Sequence, residues 1–277
     1  MQLASLAAQP RASPSRYPAA VTTEQSSTAT PATSRHARGL VVALDGPGSS
    51  GKSTVGAEAA CRLRYRFCDT GLLYRAVTWL ACERGVAPDE VQALVALADE
   101  VELAADDRGR LCHVRTGSLD VTDQVHLPAV DRVVSDYAKV PQLRSALVAR
   151  QRSIAGEGAI IMAGRDIGTV ILPDADVKIY LSASVEERAR RRATQRELAP
   201  DGAEAVRILE DLQRRDAIDS GRETAPLRSA ADAVIIDTDG ITFDDSVAAV
   251  IRAIREAEAK RVTSLTTAPS EEPVDGF

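Results

Sequence analysis

A glycine-rich stretch, LDGPGSSGKST at residues 44–54, constrains the fold of this chain more than any other segment. It satisfies the pattern G-x-x-x-x-G-K-S/T and lies between an aliphatic run and a sequence of helical periodicity. Its glycines allow backbone conformations that other residues avoid, so successive N–H groups can point inward and surround phosphate oxygens. The stretch therefore predicts a strand, a phosphate-binding loop and a helix. The predicted phosphate-binding residues are Gly46, Pro47, Gly48, Ser49, Ser50, Gly51, Lys52, Ser53 and Thr54.

Three features of this loop predict a nucleoside triphosphate, ATP, as its ligand. The helix that begins near Ser53 contributes unpaired N–H groups and the positive end of its dipole. Lys52 can reach the β- and γ-phosphates, which makes it a candidate catalytic residue, and the Ser53 hydroxyl can bind Mg²⁺. A GTPase would also need a guanine-reading N-K-x-D string, which does not occur in the sequence. A small kinase fits the chain length.

The rest of the pattern predicts an α/β fold with a five-stranded parallel sheet flanked by helices, because short aliphatic runs alternate with longer helical patterns. The predicted strands are 40–44, 65–68, 159–162, 177–181 and 233–236. The predicted helices are 53–63, 71–83, 89–98, 128–138, 141–155, 184–195, 204–218 and 243–259. Residues 101–125 break the alternation with two β-like pieces joined by the turn-forming DDRG at 106–109, which predicts a small antiparallel insert.

Both ends of the chain have a different composition from the middle. Residues 1–38 are rich in Ala, Ser, Thr, Pro and Gln and carry Glu24 as their only acidic residue. We expect a disordered extension here, although an organelle transit peptide has a similar composition. Residues 261–277 are expected to form a disordered tail, which leaves 39–260 as the catalytic domain.

Composition excludes several classes of protein. Lys plus Arg number 34 and Asp plus Glu number 40, and a net charge of −6 has the wrong sign for a protein that coats nucleic acid. No apolar stretch approaches the roughly 20 residues that a membrane span needs. The four cysteines form no C-x-x-C pair and the three histidines are scattered, so neither a zinc site nor a disulfide framework is expected. We expect a cytoplasmic monomer that binds neither nucleic acid nor membrane.

Two further motifs follow predicted strands, at the sheet edge where α/β proteins bind ligands. DTGLLYR at 69–75 brings Tyr74 and Arg75 to this edge, and AGRDIGT at 163–169 brings Arg165 and Asp166. The arginines can bind an acceptor phosphate, while Asp166 can accept hydrogen bonds from an amino group or orient a neighbour. Solvated arginines and a turn with a salt bridge are the simpler alternatives.

Two arginine-rich segments come later in the chain. In RDAIDSGR at 215–222, Arg215, Asp219 and Arg222 are spaced i, i+4 and i+7 and so share one helical face. A plain surface ladder of ion pairs would have the same spacing. Residues 188–196 carry five arginines, which predict either a solvated face or a positively charged segment over the triphosphate.

With these motifs in this order, the chain resembles the bacterial cytidylate kinases, a family of nucleoside-monophosphate kinases, over residues 40–260. The resemblance implies a P-loop kinase fold with a nucleoside-monophosphate-binding insert at about 99–137 and a lid at about 188–203. It implies phosphoryl transfer from ATP, with Mg²⁺, to CMP or dCMP in pyrimidine metabolism, by direct in-line attack. Lys52, Arg165 and the lid residues Arg188 and Arg192 would be catalytic.

The resemblance also implies roles for the substrate-binding residues. Ser135, Arg144 and Asp166 would contact cytosine, Arg75, Arg165 and Arg215 would bind the CMP phosphate, and Tyr74 and Asp219 would hold the ribose. Asp69 and Arg222 would belong to the same cleft. One departure stands out, because family members commonly have an acidic residue before Gly-Arg-Asp, where this chain has Ala163.

Two other functions remain compatible with the residues. One is a P-loop phosphotransferase that acts on UMP, AMP or a small metabolite. The other is a regulator that binds ATP and catalyses nothing, which would have no need of two further arginine-bearing motifs at the same sheet edge. A panel of monophosphates distinguishes these alternatives.

Overall fold

The computed structural model describes residues 39–199, 202–223 and 225–266, so the predicted extension at 1–38 lies outside the described residues. The strands are β1 (Val41–Asp45), β2 (Arg66–Asp69), β3 (Val101–Ala105), β4 (Arg110–Thr116), β5 (Leu119–Asp120), β6 (Ile160–Gly164), β7 (Val177–Ser182) and β8 (Val234–Asp237). The helices are α1 (Lys52–Leu63), α2 (Gly71–Arg84), α3 (Val91–Asp99), α4 (Pro128–Ala138), α5 (Pro141–Gly156), α6 (Val185–Gln195), α7 (Ala203–Ser220) and α8 (Phe243–Thr266). None of the described helices is both long and apolar enough to cross a membrane.

The sheet has the strand order β3-β4-β2-β6-β1-β7-β8, with β5 paired to β4. Strands β2, β6, β1, β7 and β8 are parallel neighbours, which confirms the predicted α/β class with a mostly parallel sheet. The predicted count of five parallel strands is too low, because β4 is parallel to β2 as well. In the centre Val42 pairs with Ile161 on one side and Val177 on the other. Because these strands run in one direction, the loops after β1, β2 and β6 meet at one edge of the sheet.

Both faces of the central strands β1 and β6 are buried, which explains why these strands are near-continuous aliphatic runs. Along β1, Val42 and Leu44 belong to the apolar cluster that contains residues of α1 and α8, whereas Ala43 belongs to the cluster on the opposite face. This two-residue period follows from the alternation of side chains along a strand. The two layers of helices hold the carboxyl edge of the sheet in place.

The antiparallel insert is present, but it is continuous with the main sheet. Strands β3 and β4 pair antiparallel around the predicted turn, and β4 runs parallel to β2, with Phe67 opposite Arg110 and Cys68 opposite Leu111. The sheet therefore has eight strands in total. Pairing with β4 covers the hydrogen-bonding groups that β2 would otherwise leave exposed at its edge.

The last helix is longer than predicted. α8 continues to Thr266, so residues 261–266 are helical and the predicted start of a disordered tail at 261 is wrong. No Gly or Pro interrupts the sequence between Gly240 and Pro269, which removes the usual signals that end a helix. Residues 267–277 lie outside the described residues.

Candidate active site

A cleft of about 610 Å³ opens at the carboxyl edge of the parallel strands. Its walls come from the loops after β1, β2 and β6, from the first turns of α1 and α2, and from helices α4, α5, α6 and α7. The predicted site residues that line it are Gly48, Ser49, Gly51, Lys52, Ser53, Thr54, Asp69, Tyr74, Arg75, Ser135, Arg144, Arg165, Asp166, Arg192, Arg215, Asp219 and Arg222. Residues far apart in the chain thus share one cavity, and Gly46, Pro47, Ser50 and Arg188 lie behind its wall.

The glycine-rich loop adopts a turn that requires glycine at two positions. A Cβ on Gly46 would lie 2.3 Å from the carbonyl oxygen of Leu181, so the loop could not pass β7 with any side chain here. Gly51 has a φ of 94° at the start of α1, a conformation that favours glycine. The loop therefore presents its backbone and the N-terminus of α1 to the cleft, which is an arrangement suited to anions.

Lys52 is buried and bonded within this loop. Its Nζ donates to the Pro47 carbonyl oxygen at 2.6 Å and to Ser50 Oγ at 3.3 Å. Burial lowers the pKa of this ammonium well below its usual value, and the positive charge of Arg165 lowers it further. A triphosphate in the cleft would counter both effects, because a nearby negative charge favours the protonated lysine.

Ser53 and Asp69 form the part of the site that fits a magnesium ion. The Ser53 hydroxyl donates to Asp69 Oδ2 at 2.5 Å, and both residues line the cleft beside Lys52. Hydroxyl and carboxylate oxygens are ligands that Mg²⁺ prefers, and Mg²⁺ at such sites uses few protein ligands and several waters or phosphate oxygens. The donor set matches that requirement.

Two of the arginines that line the cleft, Arg165 and Arg222, pair with the same carboxylate. Asp219 accepts from Arg165 Nε at 3.0 Å and also pairs with Arg222. Although burial alone would raise it, the positive charges of Arg165 and Arg222 hold the pKa of Asp219 below its usual value. Asp219 is therefore ionised at neutral pH and orients the two guanidinium groups.

The arginines around Asp219 carry more positive charge than the carboxylates beside them neutralise. Burial and then the charge of Arg165 lower the pKa of Arg215 to about 10. The Nε atoms of Arg215 and Arg222 are buried, and neither has an acceptor in the part of the chain that the structure describes. Buried donors without acceptors are costly, so a bound anion would be stabilised here.

A second pocket of the cleft holds groups of opposite hydrogen-bonding character. Arg144 Nη2 donates to Asp166 Oδ2 at 2.5 Å, and both side chains are buried. The Arg144 guanidinium lies 5.4 Å from the centre of the Tyr74 ring. The buried Ser135 lies in the same wall. This pocket can therefore form hydrogen bonds with both donors and acceptors at the edge of a planar ring.

Arg188, a predicted catalytic residue, does not line the cleft. Its Nη1 donates to the Gly48 carbonyl oxygen at 3.0 Å and its Nη2 pairs with Asp216 at 2.5 Å, with the side chain buried. The residue lies in the first turn of α6, next to the loop, whereas the cleft is lined one turn later by Arg191 and Arg192. Arg188 therefore supports the loop through these contacts, and its catalytic role stays a prediction.

Ala163 belongs to the apolar cluster beneath α1, and its carbonyl oxygen accepts from the backbone N–H of Thr70 at 3.0 Å and from Thr70 Oγ1 at 2.9 Å. The position commonly acidic in the family is thus apolar here. Of the described carboxylates, only Asp69 bonds to the Ser53 hydroxyl.

Four polar residues are among those at or behind the cleft that the sequence did not predict as site residues. Thr70 and His126 line it, and Asp45 and Asp131 lie behind its walls. Helical spacing carried a signal for Asp131, which stands one turn before Ser135 on α4. Asp45 directly precedes the glycine loop. The pattern G-x-x-x-x-G-K-S/T does not include that position, so it gives no reason to expect a buried carboxylate there.

Comparison with known proteins decides the family. The family model described as cytidylate kinase matches residues 42–256, which is most of the chain. The chain belongs to the cytidylate kinase family. The predicted resemblance is confirmed.

Individual relatives agree with this family. A cytidylate kinase from Geobacillus thermodenitrificans is 45% identical over 221 residues, covering 79% of this chain and 98% of that protein. A cytidylate kinase from Geobacter sulfurreducens is 42% identical over 221 residues, covering 80% of this chain and 95% of that protein. Among solved structures, a shikimate kinase from Acinetobacter baumannii in complex with shikimate matches with a TM-score of 0.37 and 16% identity, over 79% of this chain and 94% of that one. So distant a likeness adds nothing to the family assignment.

Proposed function

We propose that this protein transfers the γ-phosphoryl group of ATP to CMP and dCMP, giving ADP and CDP or dCDP. The observation that carries the proposal is a single cleft with two anion-binding walls. One wall is the glycine loop with Lys52, and the other contains Arg75, Arg165 and Arg215. Membership of the cytidylate kinase family supports the choice of acceptor.

The loop would bind ATP through its backbone N–H groups, with Lys52 leaving the Pro47 carbonyl to contact the β- and γ-phosphates. Ser53 and Asp69 would hold Mg²⁺, which neutralises charge on the phosphate oxygens when bound. Arg188 and Asp216 keep the loop in position from behind.

Phosphoryl transfer has a loose transition state, so the protein mainly aligns the two substrates and balances negative charge. Arg165 lies close to both the acceptor side of the cleft and the glycine loop. Its Nε is fixed by Asp219, while one terminal nitrogen lies 3.4 Å from the point where a Cβ would stand on Gly48. Arg192, from the predicted lid, completes the positive lining. A CMP phosphate oxygen then attacks the γ-phosphorus directly, with no covalent enzyme intermediate.

The base would be chosen by the pocket around Arg144 and Asp166. The exocyclic amino group of cytosine can donate to Asp166, whereas uracil offers a carbonyl oxygen at the same position and would face the carboxylate with an acceptor. Arg144 can donate to the ring carbonyl. A site built to bond one group rejects an analogue that leaves its buried groups unpaired.

A monophosphate panel with Mg·ATP tests the proposal. We expect ADP formation with CMP and dCMP, and much less with UMP or AMP. The Asp166→Asn variant should lose preference for CMP over UMP while its KM for ATP stays unchanged. A protein that binds ATP but forms no ADP with any monophosphate would be a regulator, and the proposal would be wrong.

Several finer points are part of the same proposal. They are the use of Mg²⁺, a domain that begins at residue 39 and includes α8, with an insert at about 99–137 and a lid at about 188–203, a monomeric state and a cytoplasmic location. Sedimentation at the protein concentration of the kinetic assay tests the monomeric state. Titration of ADP formation with Mg²⁺ tests the use of that metal.

A further inference from the structure

The carboxylate of Asp131 on α4 contacts four arginines from other parts of the fold. Its Oδ1 pairs with Arg75 at 2.5 Å and with Arg215 at 3.7 Å. Its Oδ2 pairs with Arg192 at 2.7 Å and with Arg196 at 3.2 Å. One oxygen thus serves the two arginines of the proposed acceptor site, and the other serves the two arginines at the end of α6.

Asp131 lies behind these arginines with respect to the cleft. Arg75, Arg192 and Arg215 line the cavity, and Asp131 does not. Its side chain is only 11% exposed. A carboxylate in this position holds one edge of each guanidinium and leaves other N–H groups directed at the cleft, because arginine has five donors in a fixed planar arrangement.

The carboxylate also offsets the mutual repulsion of the arginines. Although burial alone would raise it, the charges of Arg75 and then Arg192 and Arg215 hold the pKa of Asp131 below its usual value, so the group is ionised at neutral pH. Without it, the partly buried guanidinium groups of Arg75, Arg192 and Arg215 would lose the carboxylate that they share, and their mutual repulsion would drive them apart. The geometry of the acceptor site therefore depends on Asp131.

We propose that Asp131 is a positioning residue that joins the acceptor-phosphate site to the lid, and the inference rests on the proposed function. Through its two oxygens it fixes Arg75 and Arg215 on the acceptor side and Arg192 and Arg196 at the end of α6. Binding of the acceptor phosphate and closure of the lid are coupled through this one side chain.

The opposite role would be that of an internal competitor, a carboxylate that occupies the phosphate position until substrate displaces it. Such a group would project into the cavity between the arginines. Asp131 is not among the residues that line the cavity, whereas Arg75 and Arg192 are, which favours positioning over competition.

The test compares Asp131→Asn and Asp131→Ala with wild type in steady-state kinetics, with CMP and Mg·ATP varied separately. Asparagine keeps the shape and one acceptor oxygen but loses the charge, so KM for CMP should rise about tenfold, the usual loss for a hydrogen bond to a charged group. Alanine should raise it further. We also expect kcat to fall, because Arg192 and Arg196 lose their anchor.

Asp136→Asn is the matched control. Asp136 lies on the same helix and pairs with Lys139 at 3.2 Å on an exposed surface away from the cleft. Its kinetics should equal those of wild type. A double-mutant cycle between Asp131→Asn and Arg192→Ala adds a second readout, since the combined loss should be smaller than the sum of the two single losses.

Two results would overturn the inference. A lower KM for CMP in Asp131→Asn would make Asp131 a competitor, and kinetics equal to those of Asp136→Asn with a lower melting temperature would leave it a structural residue. If wild type phosphorylates no monophosphate, the proposed function fails separately. Calorimetric binding of CMP to the same variants then still tests whether Asp131 organises the anion site.

Discussion

The two walls of the cleft are built in different ways. The donor wall is one continuous segment whose backbone N–H groups and helix end face the cavity, with Lys52 as its one cationic side chain. The acceptor wall gathers arginines from α2, α7 and the loop after β6, and carboxylates such as Asp131 and Asp219 hold them. A backbone site tolerates loss of most side chains, whereas a side-chain site depends on each member and on the counter-ions behind it.

The largest effect should follow from removing the one donor-side cation. In Lys52→Ala, kcat should fall by on the order of 10²–10³, the usual loss when one preorganised donor is removed. Because the hydrogen bonds that the described residues form with this ammonium all lie within the loop, the fold should persist, which circular dichroism and the melting temperature check. A variant with near-normal kcat would show that Lys52 plays no catalytic part.

Asp45 connects the two walls, since it precedes the glycine loop and accepts the backbone N–H groups of Ile167 at 2.8 Å and Gly168 at 2.7 Å after Arg165 and Asp166. Burial raises its pKa to about 6, against the two hydrogen bonds that lower it. A carboxyl whose pKa is higher in the folded state stabilises the fold at low pH and loses that contribution as pH rises through the folded pKa.

The free energy of unfolding of wild type, measured relative to Asp45→Asn, should therefore decrease between about pH 4 and pH 6.5. The total change is on the order of 3 kcal/mol, since one pKa unit corresponds to about 1.4 kcal/mol. Urea unfolding of both proteins at four pH values measures it, and the other carboxyl groups cancel in the difference. A difference that does not vary with pH would contradict the raised pKa of Asp45.

On the acceptor wall, Arg215→Ala should raise KM for CMP about tenfold to a hundredfold and leave KM for Mg·ATP within about twofold, because charge-assisted hydrogen bonds to phosphate are lost on one side only. Steady-state kinetics with each substrate varied in turn measures this split. Equal changes in both KM values would mean that the donor and acceptor walls do not bind their substrates independently.

This difference in construction also explains what could be predicted from the sequence. The glycine loop is local, so its residues were found from one string, and the parallel strands followed from aliphatic runs that are buried on both faces. The acceptor wall needed several strings and a family resemblance, because its members meet only in the folded chain. Arg188 does not line the cleft whereas Arg192 does, because successive arginines on α6 point in different directions and spacing alone does not say which of them face the cleft.

The carboxylates behind the arginines were the hardest to predict. Asp131 and Asp45 touch no proposed substrate position, and each acts on groups far away in sequence, such as Arg192 or Gly168. Their importance follows from burial and charge pairing, which exist only in three dimensions. Local patterns therefore identify ligand-facing residues more readily than the residues that hold them.

The smallest effect should come from deleting a donor-wall side chain other than those of Lys52 and Ser53. Ser49 has a φ of 61°, a conformation that glycine adopts without strain, and its side chain lines the cleft. If backbone N–H groups bind the triphosphate, Ser49→Gly should keep kcat and KM for Mg·ATP within about twofold, because the turn and its N–H groups remain. Arg222→Ala, a deletion on the acceptor wall, serves as the contrasting variant and should weaken CMP binding. A tenfold rise in KM for Mg·ATP in Ser49→Gly would mean that the donor wall, too, relies on its side chains, and the contrast between the two walls would disappear.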